Sequence, residues 1–233
     1  MTRLEYINKA DVMKSIYAFE KSVHPFSDVM GQTVSVNPLN KKWTDLFVDY
    51  PILKETLDGL DNDGKGHCVI SREMIFREKD CRRKAILTLL WGFPRGYRNS
   101  KTHKNAVKSV VEIAEENNDK NLTPEMFKFM IGKAGVGLST LSKILYFFEY
   151  KVNGNPALIL DSIVRKNIKE FSEFEETVKK RAGSYGEYVS YVDSVAEVSK
   201  NMRDVTPDQI EFFLFKFNDS SFASDLGRRP GEV

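Results

Sequence analysis

GKAGVGLSTLSKILYFF, running from Gly132 to Phe148, decides how this chain is read. Glycine inside a helix costs roughly 1 kcal/mol relative to alanine, so Gly135-Val136-Gly137 marks a break in an otherwise helical pattern. Upstream, LTPEMFKFMI offers a helix start, with Thr123 as the capping hydroxyl and Pro124 at the first helical position. Downstream, Leu141, Ile144, Leu145 and Phe148 form an apolar stripe, while Ser139 and Lys143, four apart, share another face. The stretch therefore reads as helix, tight turn, helix. Glycines in the turn let the backbone approach another molecule closely. Unpaired amides and the dipole at the start of the second helix suit a phosphate, and Lys133 and Lys143 strengthen that preference.

Working outward, EYKVNGNPALILDSIVRKNI follows the second helix. Asn153-Gly154-Asn155-Pro156 is a turn, ALIL is buried, and Asp161 ends the apolar run where a new helix begins. Two readings of Asp161 stay open. As a helix N-cap it satisfies backbone amides. As a functional carboxylate, held ionised by those same amides, it steadies a developing cation or orients a water. The roles are compatible.

The rest of the chain supplies context. With 233 residues and 41% apolar content there is material for one large domain or two lobes with a packed core. No apolar run reaches the roughly 18 residues of a membrane span, and the N-terminus has no signal-peptide pattern, so the expected location is cytoplasmic, without a membrane partner. Cys68 and Cys81 match no zinc or redox spacing, and two cysteines cannot supply the four ligands of an iron–sulfur cluster.

Net charge is only +2, but its distribution is uneven. No Asp or Glu occurs from Cys81 to Val111 or from Met126 to Phe148, while Arg82, Arg83, Lys84, Arg95, Arg98, Lys101, Lys104 and Lys108 fall in the first of these stretches. Such segregation fits an electrostatic footprint for phosphates, and equally a solvated basic face. Within it, WGFPRGYRNSKTHKN mixes aromatic, Gly-Pro and basic residues in one loop. Trp91, Phe93 and Tyr97 are candidates to stack on a base, and Arg95 and Arg98 to grip phosphate.

Most other segments read as helix. Candidates are LEYINKADVMKSIYAFEKSV, KKWTDLFVDYPILKETLDGL interrupted at Pro51, REMIFREKDCRRKAILTLLWG capped by Ser71, HKNAVKSVVEIAEENN, and PDQIEFFLFKF started by Thr206-Pro207. Strand signals are confined to QTVSVN and HCVI. The expected fold class is all-α or nearly so.

Hairpin, spacer and Asp161 together resemble the helix–hairpin–helix DNA glycosylase superfamily. GVGLSTLSKIL and ILDSIVRK are similar to its adenine-excising branch. LWGFPRGYRN, SKILYFF, LDSIVRK and DQIEFFLFKF look more like bacterial 8-oxoguanine-glycosylase-like proteins, some of which accompany anti-phage systems. The resemblance is concentrated in residues 123–170. It implies a two-lobed helical fold with an active-site cleft between the lobes, DNA as partner, and a base flipped into a pocket. It implies that Gly135 and Gly137 form a phosphate-gripping hairpin; the candidate DNA contacts are then Gly135, Val136, Gly137, Ser139, Thr140, Lys133, Arg95 and Arg98, and the candidate base pocket is Trp91, Phe93 and Tyr97 of the basic loop. A K+ or Na+ ion on hairpin carbonyls near Gly135 and Gly137 is a further implication, with no other cofactor and no metal held by side chains. Asp161 becomes the catalytic carboxylate.

Where bifunctional relatives carry a Schiff-base lysine, two residues after the second hairpin glycine, this chain has Ser139. That favours a monofunctional, hydrolytic enzyme. Lys143, one turn later, is a candidate substitute nucleophile. The expected organisation is an N-terminal helical part over 1–110, the hairpin and Asp161 region over 111–170, completing helices over 171–220 and a flexible tail over 221–233, in a monomer. The alternatives are a non-catalytic DNA-binding module and a nucleobase N-glycosidase of an anti-phage system.

Overall fold

The structure, a computed structural model, describes residues 11, 14–16, 29–96, 100–116 and 119–217. Helix accounts for 58% and strand for 8%, so the chain is all-α with small sheets attached. It divides into two compact units, Asp28–Asp161 and Met1–Ser27 with Ser162–Val233. The tail over 221–233, along with Tyr97 and Arg98, lies outside the described residues.

The unit Asp28–Asp161 begins with strand β1 (Thr33–Val36), helix α1 (Lys41–Thr44) and helix α2 (Pro51–Asp58). Strand β2 (Cys68–Ser71) pairs antiparallel with β1 in the register Thr33 with Ser71 through Val36 with Cys68, the two segments whose alternation signalled strands. Sequence periodicity runs one helix from Arg72 to Gly92; the structure has two, α3 (Arg72–Arg77) and α4 (Cys81–Gly92). Side-chain capping makes the break. The Glu78 carboxylate accepts the Lys79 and Asp80 amides at 2.8 and 2.9 Å, and the Asp80 carboxylate accepts the Arg83 amide at 2.8 Å.

Helix α4 is buried along its length from Lys84 to Trp91, as befits a helix apolar on nearly every side. Around it pack α2, α3, α5 (Ser100–Glu116) and α7 (Leu138–Phe147), with α6 (Pro124–Ile131) joined to α7 by the hairpin turn. A short hairpin, β3 (Lys151–Val152) and β4 (Asn155–Pro156), follows α7; Asn153 at φ 50° and Gly154 at φ 81° make its tight turn.

The other unit is built from α8 (Ser162–Asn167), two 3₁₀ turns at Ile168–Glu170 and Ser172–Phe174, α9 (Glu175–Lys179), α10 (Tyr185–Lys200) and α11 (Pro207–Lys216). Its α11 opens with a reciprocal capping box between Thr206 and Gln209. Phe171, Phe213 and Phe217 pack together in its core, with Phe171 edge-on to Phe217 and the other two pairs tilted, and the buried Asn167 amide donates to Leu214 O at 2.7 Å.

Candidate active site

The hairpin forms as its residues dictate. Thr123 Oγ1 accepts the Met126 amide at 3.2 Å to start α6, and the Val136 amide donates to Lys133 O at 3.1 Å to close the turn. Gly135 sits at φ 81°, a conformation that favours glycine. Gly137 is the N-cap of α7, and a side chain there would meet nothing within 4 Å, so its flank is open to an approaching molecule. The Leu138 and Ser139 amides open the first turn of α7, where intrahelical acceptors are lacking. Gly137 O accepts the Thr140 and Leu141 amides at 3.0 and 2.9 Å.

Val136 and Thr140 are buried, and their amides are taken up by Lys133 O and Gly137 O. Lys133 is ion-paired with Glu112 at 3.0 Å and Glu116 at 3.5 Å and lies over the Phe129 ring. Ser109 Oγ donates to Ala134 O at 2.9 Å, so α5 braces the turn at two points.

Further along α7, one turn from Ser139, stands Lys143. Its side chain is 5% exposed. The ammonium donates to Ser139 Oγ at 3.0 Å and to Ser139 O at 3.2 Å, lies 5.5 Å from the centre of the Phe93 ring, and is 3.9 Å from Asp161 Oδ2. Asp161 is 15% exposed. The structure thus gathers Ser139, Lys143, Asp161 and Phe93, each of them singled out by the sequence, into one cluster.

Two residues that the sequence did not flag complete it. Ser142 is fully buried, and its hydroxyl accepts the Leu160 amide at 3.0 Å, tying the strand-like ALIL segment to α7 immediately before Asp161. Gly92, the last residue of α4, lies against the Lys143 stem. A polar residue on an apolar helix stripe was the available signal for Ser142; Gly92 read only as a helix end.

Trp91 is not part of this group. It is 6% exposed, edge-on to Phe147 at 5.4 Å, with the buried Arg72 guanidinium 5.2 Å from its ring centre. Arg95 is exposed on a turn beyond Phe93. No group of three or more His, Cys, Asp or Glu able to hold a metal occurs among the described residues.

Chemically, the cluster presents an amine from α7 and a carboxylate from the segment after it. Burial weakens solvent screening, so the charge of each is felt strongly by any group brought between or beside them. No curated protein and no solved structure matches the chain. A sequence-family model described as "Putative 8-oxoguanine DNA glycosylase OGG-like protein" matches residues 27–215.

Proposed function

The chain belongs to this OGG-like 8-oxoguanine DNA glycosylase family, and on that premise we propose that it excises a damaged or modified base from DNA by cleaving the N-glycosidic bond, with Asp161 as the catalytic carboxylate. The observation that carries this reading is the shielded pairing of Asp161 with Lys143 at 3.9 Å, on the helix that the Gly135–Gly137 turn begins. As the bond breaks, its electron pair leaves with the base and positive charge develops at the sugar. An ionised carboxylate beside that charge lowers the barrier, and more so where water is scarce. Water then adds at C1′ and loses a proton, leaving an abasic site. An oxidised purine is the first base to test, because the family description points to 8-oxoguanine.

One contact favours a second reading of the same site. The Lys143 amine lies 3.0 Å from Ser139 Oγ, at the slot where lyase members carry their lysine. In that reading the ammonium proton passes to the departing base, and the freed electron pair forms a C–N bond at C1′ in place of water. Transfer of a second N–H proton to the ring oxygen opens the sugar to a Schiff base, and loss of a C2′ proton then expels the 3′ phosphate and nicks the strand.

Duplex DNA carrying 8-oxoguanine, or another single lesion, incubated with the full chain and scored for abasic sites tests both. Asp161→Asn is expected to lower base release by about 100-fold or more while leaving DNA binding intact. Base release that survives the substitution would sink the Asp161 assignment, and binding without release from any lesion would favour a DNA-binding module. A borohydride-trapped adduct that disappears in Lys143→Ala would establish the nucleophile reading; its absence in an active wild type leaves hydrolysis.

A further inference from the structure

Lys143 reaches its position because α4 ends in a particular way. A Cβ added at Gly92 would stand 2.6 Å from Lys143 Cδ, closer than real side chains approach, and 3.0 Å from Cε. Only a residue without a side chain lets the lysine stem cross the end of α4 as it does. The next residue, Phe93, then sets its ring 5.5 Å from the ammonium. The backbone that carries the ring is fixed. The Phe93 amide donates to Leu89 O at 2.9 Å, and the Gly96 amide closes a turn onto Phe93 O at 2.7 Å, with Gly96 at φ 69°. The turn is pinned from outside by the fully buried Trp43, whose indole N–H donates to Pro94 O at 3.4 Å, and by Asn40, whose side-chain amide donates to Arg95 O at 3.4 Å.

These restraints bear on the Asp161 charge. Lys143 Nζ makes its short contacts to Ser139 and lies over Phe93, while its 3.9 Å separation from Asp161 Oδ2 exceeds hydrogen-bond length. An aromatic face attracts a desolvated ammonium less strongly than a carboxylate at this distance does, so the ring adds to the two Ser139 contacts rather than acting alone.

We propose that Gly92 and Phe93 are positioning residues: Gly92 admits the Lys143 stem, and Phe93 supports the ammonium on its Ser139 contacts so that it stands beside Asp161 without closing onto it. The inference rests on the glycosylase reading for its consequence, but not for its geometry. Loss of the ring lets the ammonium close onto the carboxylate or swing to solvent, and either weakens the site without touching DNA.

The test uses the full chain with Phe93→Leu, Phe93→Tyr as the conservative restoration, and Gly92→Ala as a second probe, checked for folding by its melting curve. Peptide-level mass spectrometry measures the rate at which an amine-reactive ester labels Lys143, and single-lesion duplexes give kcat and KM. Phe93→Leu is expected to change the Lys143 labelling rate several-fold and to lower kcat about 10-fold, with KM within about two-fold, as loss of a contact of this class implies. Phe93→Tyr should restore both. Unchanged labelling in Phe93→Leu overturns the proposal, as does a fall in kcat that Phe93→Tyr fails to restore. A labelling change restored by Phe93→Tyr, in a chain whose wild type releases no base, upholds the positioning geometry and overturns the glycosylase reading instead.

Discussion

Tyr150, just beyond α7, illustrates how a single buried group gives the fold a pH signature. Burial, reinforced by the negative charge of Asp119, pushes its phenol up to about 12 from 10.0. Between those values the unfolded chain releases the proton while the folded chain keeps it. Stability contributed by the neutral phenol is therefore whole below pH 10 and lost as pH rises toward 12. Lys84 and Lys120 act in the opposite sense. Burial lowers both from 10.5, so over the range up to that value they favour the folded state as pH rises. The decline should thus emerge above about pH 10.5, where the lysine effect is spent. Denaturant midpoints of wild type and Tyr150→Phe are expected to respond alike at pH 9, to begin to diverge at pH 10.5 and to differ most at pH 11.5, with the variant losing less, because the lysine effect is common to both. Equal losses in both would exclude Tyr150 as the source.

At the scale of elements, the hairpin's first helix hangs on one hydroxyl. Thr123 supplies the side-chain cap of α6, a helix of 8 residues, too short to persist by propensity alone. Thr123→Ala is expected to cost about 1 kcal/mol of unfolding free energy and to weaken DNA binding through a looser turn, whereas Thr123→Ser should retain both. Caps of this kind are also what made much of the fold legible. Thr123-Pro124 and Thr206-Pro207 begin helices where the sequence placed them, and QTVSVN and HCVI contain the paired strands. The break between α3 and α4 was not legible, because Glu78 and Asp80 read as helix formers within a helical period. They stop a helix only when their carboxylates turn back on their own backbone. Of the candidate site, Lys143 and Asp161 were singled out by the family resemblance, while the hairpin could be read from its glycines and caps. The fit of Gly92 against the lysine stem could not, since it depends on two helices 51 positions apart meeting in space.

For the molecule as a whole, the acid-free stretches of the sequence do not remain acid-free when folded. Arg82 meets Glu115, Lys104 meets Asp49 at 2.7 Å, Lys108 meets Glu112 at 3.7 Å, Lys133 meets Glu112 and Glu116, and Lys143 meets Asp161. Charge segregated along the chain is largely recombined in space, which leaves exposed Arg95 as the stronger phosphate candidate. In salt titrations of DNA binding, Arg95→Ala is expected to reduce the slope of log K against log salt by about 1 and to weaken binding similarly across sequences. Lys133→Ala should leave that slope nearly unchanged while lowering the melting temperature; the reverse pattern would restore Lys133 as the phosphate contact. The tie from Ser142 to Leu160 carries a consequence of another kind. It closes 18 residues of chain between α7 and the segment that delivers Asp161, a smaller separation than that between Gly92 and Lys143, so its closure costs less chain entropy than bringing α4 and α7 together. The amine and the carboxylate then become neighbours early in folding, as parts of one local cooperative unit. Substitutions that loosen the more distant helices should slow the completion of the fold without undoing that pairing.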